Sequence, residues 1–138
     1  MTASALAREE DHYQFLEDVE ENPLDWLAFH FPEHCSKPFA PHHEDHWKFI
    51  WSIKPNIALD PLIELWSRGH GKSTGAELAT VAVAARNVRK CALYMSGTQK
   101  QAEKHARAIS AMLVSREFAQ TYPQHSQRKL SKYGHSQG

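Results

Sequence analysis

Tyr13, Phe15, Leu16 and Val19 recur at helical spacing inside a stretch that is otherwise rich in Glu and Asp. That pattern predicts a short amphipathic helix with a frayed start over residues 1–21. Asn22-Pro23 breaks it, and the same pair suits the start of a second helix, with Asn22 as the cap and Pro23 in the first position. Leu24, Trp26, Leu27, Phe29 and Phe31 then form a strongly apolar segment. Pro32, Pro38 and Pro41 divide it from a third helix, about His42 to Ile53, with Trp47, Ile50 and Trp51 on one face. Lys54-Pro55-Asn56 reads as a loop.

The texture changes after residue 60. Pro61-Leu62-Ile63-Glu64-Leu65-Trp66 predicts a short apolar strand, and Ser67-Arg68-Gly69-His70-Gly71 a glycine-bearing loop. An Ala-rich helix follows from Lys72 to about Asn87, apolar over much of its circumference, as a helix covered on most sides is. Cys91-Ala92-Leu93-Tyr94-Met95-Ser96 is apolar without alternation, the pattern of a parallel strand covered on both faces. Gly97 and Thr98 end it. Gln99 to about Arg116 predicts a long helix with Ala102, Ala106, Ile109, Met112 and Leu113 as its buried stripe. From Thr121 the chain is polar and aperiodic.

A βαβα order implies a parallel sheet with right-handed crossovers. The expected fold is therefore α/β: part of a P-loop NTPase domain, a parallel sheet with flanking helices, preceded by a helical segment. Three stretches follow: a helical lead-in over 1–56, the βαβα part over 57–118, and a polar tail over 119–138. Two strands are too few for a sheet buried on both faces, so the α/β part reads as the first half of a larger domain.

Composition narrows the function classes. Lys plus Arg and Asp plus Glu both number 16, a formal net charge of zero, so bulk charge signals no polyanion partner. With 41% hydrophobic and 23% charged residues, wholesale disorder is not expected. No apolar run approaches the roughly 20 residues that cross a bilayer. The acidic N-terminus does not resemble a secretory signal. Two cysteines, Cys35 and Cys91, make no disulfide framework and fit a reducing, cytoplasmic compartment.

The segment Trp66 to Thr74, W-S-R-G-H-G-K-S-T, carries the chemistry. A phosphate loop needs backbone N–H groups that converge on the anion, which glycines permit. It also needs a helix N-terminus aimed at the phosphates, a lysine for the β and γ oxygens, and a hydroxyl for Mg²⁺. Gly69 and Gly71 supply the first, the helix from Lys72 the second, and Lys72 and Ser73 the last two. Trp66 holds the place of the first glycine of GxxxxGK[ST], so the loop is a variant. Arg68 can reach a γ-phosphate and stabilise transition-state charge in cis. The expected site is thus Ser67, Arg68, Gly69, His70, Gly71, Lys72, Ser73 and Thr74. Arg68 and Lys72 take the catalytic roles, and Ser73 is the metal ligand.

With S-R-G-H-G-K-S-T, the stretch L-Y-M-S-G-T-Q-K-Q-A-E from Leu93 to Glu103, the aromatic and proline-rich lead-in from Phe29 to Trp47, and their spacing, the chain resembles the ATPase half of large terminase subunits. These are the motors that package DNA into the heads of tailed phages. The resemblance implies ATP and Mg²⁺ as cofactors. It also implies double-stranded DNA, the phage portal and the small terminase subunit as partners, possible homo-oligomers, and the host cytoplasm as location. It places the adenine contact at His42 or His43, where the family often has Gln; His43 is the candidate adopted. The family's apolar strand ending in Asp-Glu and its carboxylate-rich nuclease domain have no counterpart in the chain, which by itself is expected not to turn over ATP.

His30, His34, Cys35, His42, His43 and His46 lie close together, and two of the pairs are spaced i, i+4. Pro32 interrupts the first pair and there is no CxxC, so a structural zinc site is not expected. Two further readings stay open: a non-catalytic nucleotide-binding or interaction module, and the start of a helicase-like P-loop ATPase.

Overall fold

Every regular element in the computed structural model, which describes residues 3–126 with side chains from residue 8 onward, is helical. The helices are α1 (Ala3–Glu21), α2 (Pro23–His30), a 3₁₀ turn (Pro32–His34), α3 (Pro41–Ser52), α4 (Lys72–Ala85), α5 (Gln99–Leu113), α6 (Arg116–Thr121) and α7 (Pro123–Ser126). The chain divides into two units, Met1–Trp51 and Ser52–Gly138. The last part of the polar tail, residues 127–138, lies outside the described residues. No described helix is long and apolar enough to cross a membrane.

The expected α/β sheet is not there: among the described residues no strand forms. Pro61–Trp66 and Cys91–Ser96 run without regular structure, and all their apolar side chains but the half-buried Trp66 and Tyr94 face outward, Ile63 82%, Leu65 93%, Leu93 82% and Met95 79% exposed. The reason is the one that makes strands non-local. A strand is stable only when its N–H and C=O groups are paired and its faces covered. Helices α4 and α5 close their hydrogen bonds internally and need no such partner.

In the first unit Asn22 caps α2 as the sequence suggests. Its Oδ1 accepts from the Leu24 N–H at 2.9 Å and the Asp25 N–H at 3.4 Å, and Pro23 takes the first turn. The core is aromatic. Trp26, Leu27 and Phe31 are fully buried, and Trp47 nearly so. Trp26 meets Trp51 edge-on at 5.5 Å and Phe31 at 5.7 Å. The Trp51 indole N–H donates to the Glu20 carbonyl at 2.8 Å, tying α3 to the end of α1. On α1, Leu16 and Val19 are half-buried, but Tyr13 and Phe15 are exposed, so the expected stripe is narrower than its spacing implied.

In the same unit burial pushes the Cys35 thiol above its ordinary range, with the charge of Glu33 adding to the effect. Cys91, in the second unit, is exposed. Because the thiolate is the nucleophile, iodoacetamide near pH 8 is expected to label Cys91 severalfold faster than Cys35, and Glu33→Gln to speed labelling of Cys35. Equal rates, followed by peptide mass mapping, would contradict the burial of Cys35.

The second unit packs α4 against α5, with Leu78, Val81, Ala82, Ala85 and Met112 buried, and on α6 and just beyond it the buried Phe118 and Tyr122 rings lie 4.9 Å apart. Arg89, just beyond α4, donates to the carbonyls of Lys54, Ile57 and Val88 at 2.5, 2.6 and 2.8 Å, so the stretch leading toward the loop is strapped to the far end of the helix that follows it.

Candidate functional site

Helix α4 begins immediately after two glycines in the left-handed region, Gly69 with φ +85° and Gly71 with φ +75°. Gly71 is its N-cap and offers no side-chain acceptor. The Gly75 N–H closes the first helical bond onto the Gly71 carbonyl at 2.7 Å. The N–H groups of Lys72, Ser73 and Thr74 therefore have no partner within the helix. They add to the positive end of the helix dipole. The His70 N–H donates to the Ser67 carbonyl at 3.4 Å, closing the turn before them.

A hollow of about 460 Å³ opens at this point, lined by Trp66, Ser67, Arg68, Gly69, Gly71, Lys72, Ser73 and Thr74. All the expected loop residues except His70 thus meet around one cavity. Trp66, counted at the sequence level only as a missing glycine, lines it too. Arg68, Lys72 and Ser73 are exposed and Thr74 half-buried.

His43 belongs to the first unit, and the loop to the second. There the Ala40 N–H donates to its Nδ1 at 3.0 Å, while the Ala40 carbonyl accepts from the His43 N–H at 2.9 Å. This is the reciprocal pattern of a helix start, with His43 in the third position reaching back to the residue before the helix. Of the other histidines, His42 and His46 share α3, whereas His34 ends the 3₁₀ turn and His30 ends α2. Among the described residues no group of three or more His, Cys, Asp or Glu side chains is placed to hold a metal ion.

A Cβ at Gly71 would meet nothing within 4 Å, so the requirement for glycine there is conformational rather than steric. Gly71→Ala is expected to cost about 1–2 kcal/mol, the penalty of a left-handed L-residue. Gly71→Asn should cost less, because Asn tolerates that region. Chemical denaturation of the three proteins checks the order.

One turn beyond Ser73, α4 carries Glu77, 8% exposed. Its Oε1 accepts from His105 Nδ1 on α5 at 2.5 Å. The Tyr94 ring lies against His105 with centroids 4.9 Å apart. Burial pushes the Tyr94 phenol above its ordinary value, and the negative charge of Glu77 adds to this. A raised acid is held in its neutral form by the fold. Its contribution is fully present below the ordinary phenol pKa of about 10 and is lost as the pH climbs past it. Stability should therefore fall above pH 10, and Tyr94→Phe should make that fall shallower. A pH series of thermal melts reads it directly.

Net zero charge hides a division. Of the 16 carboxylates, 11 lie in the first unit with only 3 Lys and Arg, whereas the second unit holds 13 Lys and Arg against 5 carboxylates. The unit that contains the loop is strongly cationic. Comparison with protein-family models, curated proteins and solved structures gives no match to this chain.

Proposed function

We propose that the second unit binds the phosphates of a nucleoside triphosphate, ATP with Mg²⁺, through Ser67–Thr74. The observation that carries this reading is the two left-handed glycines that open α4 onto a hollow lined by Arg68, Lys72, Ser73 and Thr74. The cationic balance of that unit favours a polyanionic ligand. In this reading Lys72 holds the β and γ oxygens, Ser73 ligates Mg²⁺, and Arg68 faces the terminal phosphate. The loop, the Thr98-Gln99 turn and the lead-in resemble those of terminase large subunits. The chain accordingly acts within a phage DNA-packaging ATPase in the host cytoplasm, with double-stranded DNA, the portal and the small terminase subunit as partners. The proposal rests on the loop and its helix and on no sheet. Turnover also requires a group that orients the attacking water; the one carboxylate on α4, Glu77, is paired with His105.

The test is competition. Inorganic tripolyphosphate with Mg²⁺ should displace labelled ATP, whereas adenosine should not. Displacement by adenosine alone would place recognition outside the loop.

A further inference from the structure

The residues around the hollow divide into two chemistries. Arg68, Lys72, Ser73 and Thr74, with the glycine N–H groups, suit an anion. Trp66 is the one aromatic lining residue, and it is half-buried at the head of the loop. At about 460 Å³ the space falls in the range of pockets that hold a whole small molecule rather than an anion alone.

We infer that Trp66 is the shelf on which the nucleobase stacks, so that the site selects a nucleoside triphosphate over bare polyphosphate. The inference rests on the phosphate-loop reading. Position and chemistry carry it. An indole offers the widest π-face of any side chain, and a base laid on it is held without hydrogen-bond readout. Such a site does not distinguish ATP from GTP. It distinguishes both from tripolyphosphate, because only a nucleotide has a ring to stack. Tryptophan in place of the usual glycine then has a purpose: it puts an aromatic surface at the mouth of the phosphate cradle.

Trp66 is the only tryptophan of the second unit; the other three, Trp26, Trp47 and Trp51, belong to the first. Its emission therefore reports the event against a constant background. Titration of the full chain with Mg²⁺-ATP should quench tryptophan emission, and titration with Mg²⁺-tripolyphosphate should leave it unchanged. By calorimetry ATP should bind about 5- to 150-fold more tightly than tripolyphosphate, the range of one base–aromatic stack. Trp66→Leu should bring the two affinities together while tripolyphosphate affinity stays the same. Trp66→Phe, which keeps a π-face, should retain most of the preference. Equal affinities in the wild type, a preference that survives Trp66→Leu, or a Phe variant that behaves like Leu overturns the shelf. Failure of tripolyphosphate to bind the wild type removes the phosphate-loop reading itself, and the shelf with it.

Discussion

Replacing Lys72 with Ala is expected to weaken binding of Mg²⁺-ATP by roughly 10- to 150-fold, the equivalent of about 1.5–3 kcal/mol for a lost charge-assisted contact. The magnitude decides which part of the loop dominates. The helix dipole contributes about 0.3–1 kcal/mol at an exposed N-terminus. It survives the substitution, as do the free N–H groups of Lys72, Ser73 and Thr74. Residual binding after Lys72→Ala therefore measures the backbone cradle. Lys72→Arg tests geometry rather than charge, since a planar fork does not replace a compact ammonium. Its affinity should fall between the other two. Equal affinities for wild type and Lys72→Ala in titration calorimetry would show that this loop does not hold the phosphates.

The second large effect concerns stability. His105→Ala leaves the Glu77 carboxylate, 8% exposed, without its ring-nitrogen partner on α5. Leaving a buried hydrogen-bonding group without its partner costs about 1–3 kcal/mol. The side chains here keep 10–16% exposure, which places the expected loss near the lower end. That is a large share of the ~5–15 kcal/mol that holds an ordinary domain together. Glu77→Leu combined with His105→Leu should recover most of it, because apolar groups of similar volume replace such pairs at little net cost. Urea denaturation of the single and double variants gives the comparison. A double variant no more stable than His105→Ala would mean that the pair is not the source of the loss.

What could be read from sequence follows the range of each interaction. Asn22-Pro23 is a local signal, and the cap it predicts forms within three residues. The helices over 72–85 and 99–113 were legible from periodicity, because their hydrogen bonds lie within four residues. The loop was legible for the same reason: Gly69 and Gly71 set a backbone shape by themselves. The two apolar hexapeptides were misread. Continuous apolarity over six residues does not separate a covered strand from an uncovered extended segment, and the partner that decides it is distant in sequence. Glu77 and His105 are 28 residues apart, so nothing local announces their pairing. His43 also carries a local signal, for a histidine two residues after Pro41 sits where a helix start can use its ring nitrogen. The charge division was written in the sequence throughout, but a sum of zero conceals it until the unit boundary is known.

The exposed Ile63, Leu65, Leu93 and Met95 of Pro61–Trp66 and Cys91–Ser96 bear on how the chain behaves in concentrated solution. Both hexapeptides combine high β-propensity with backbone that lies outside any helix or strand, the composition from which cross-β stacks grow. Glu64 interrupts the first with a charge, which stacks in register would repeat at every layer. Within Cys91–Ser96 there is no charged residue; Lys90 guards only its entrance. Fibril nucleation on storage should therefore begin at Ala92–Met95, and a charge introduced at Leu93 should delay it.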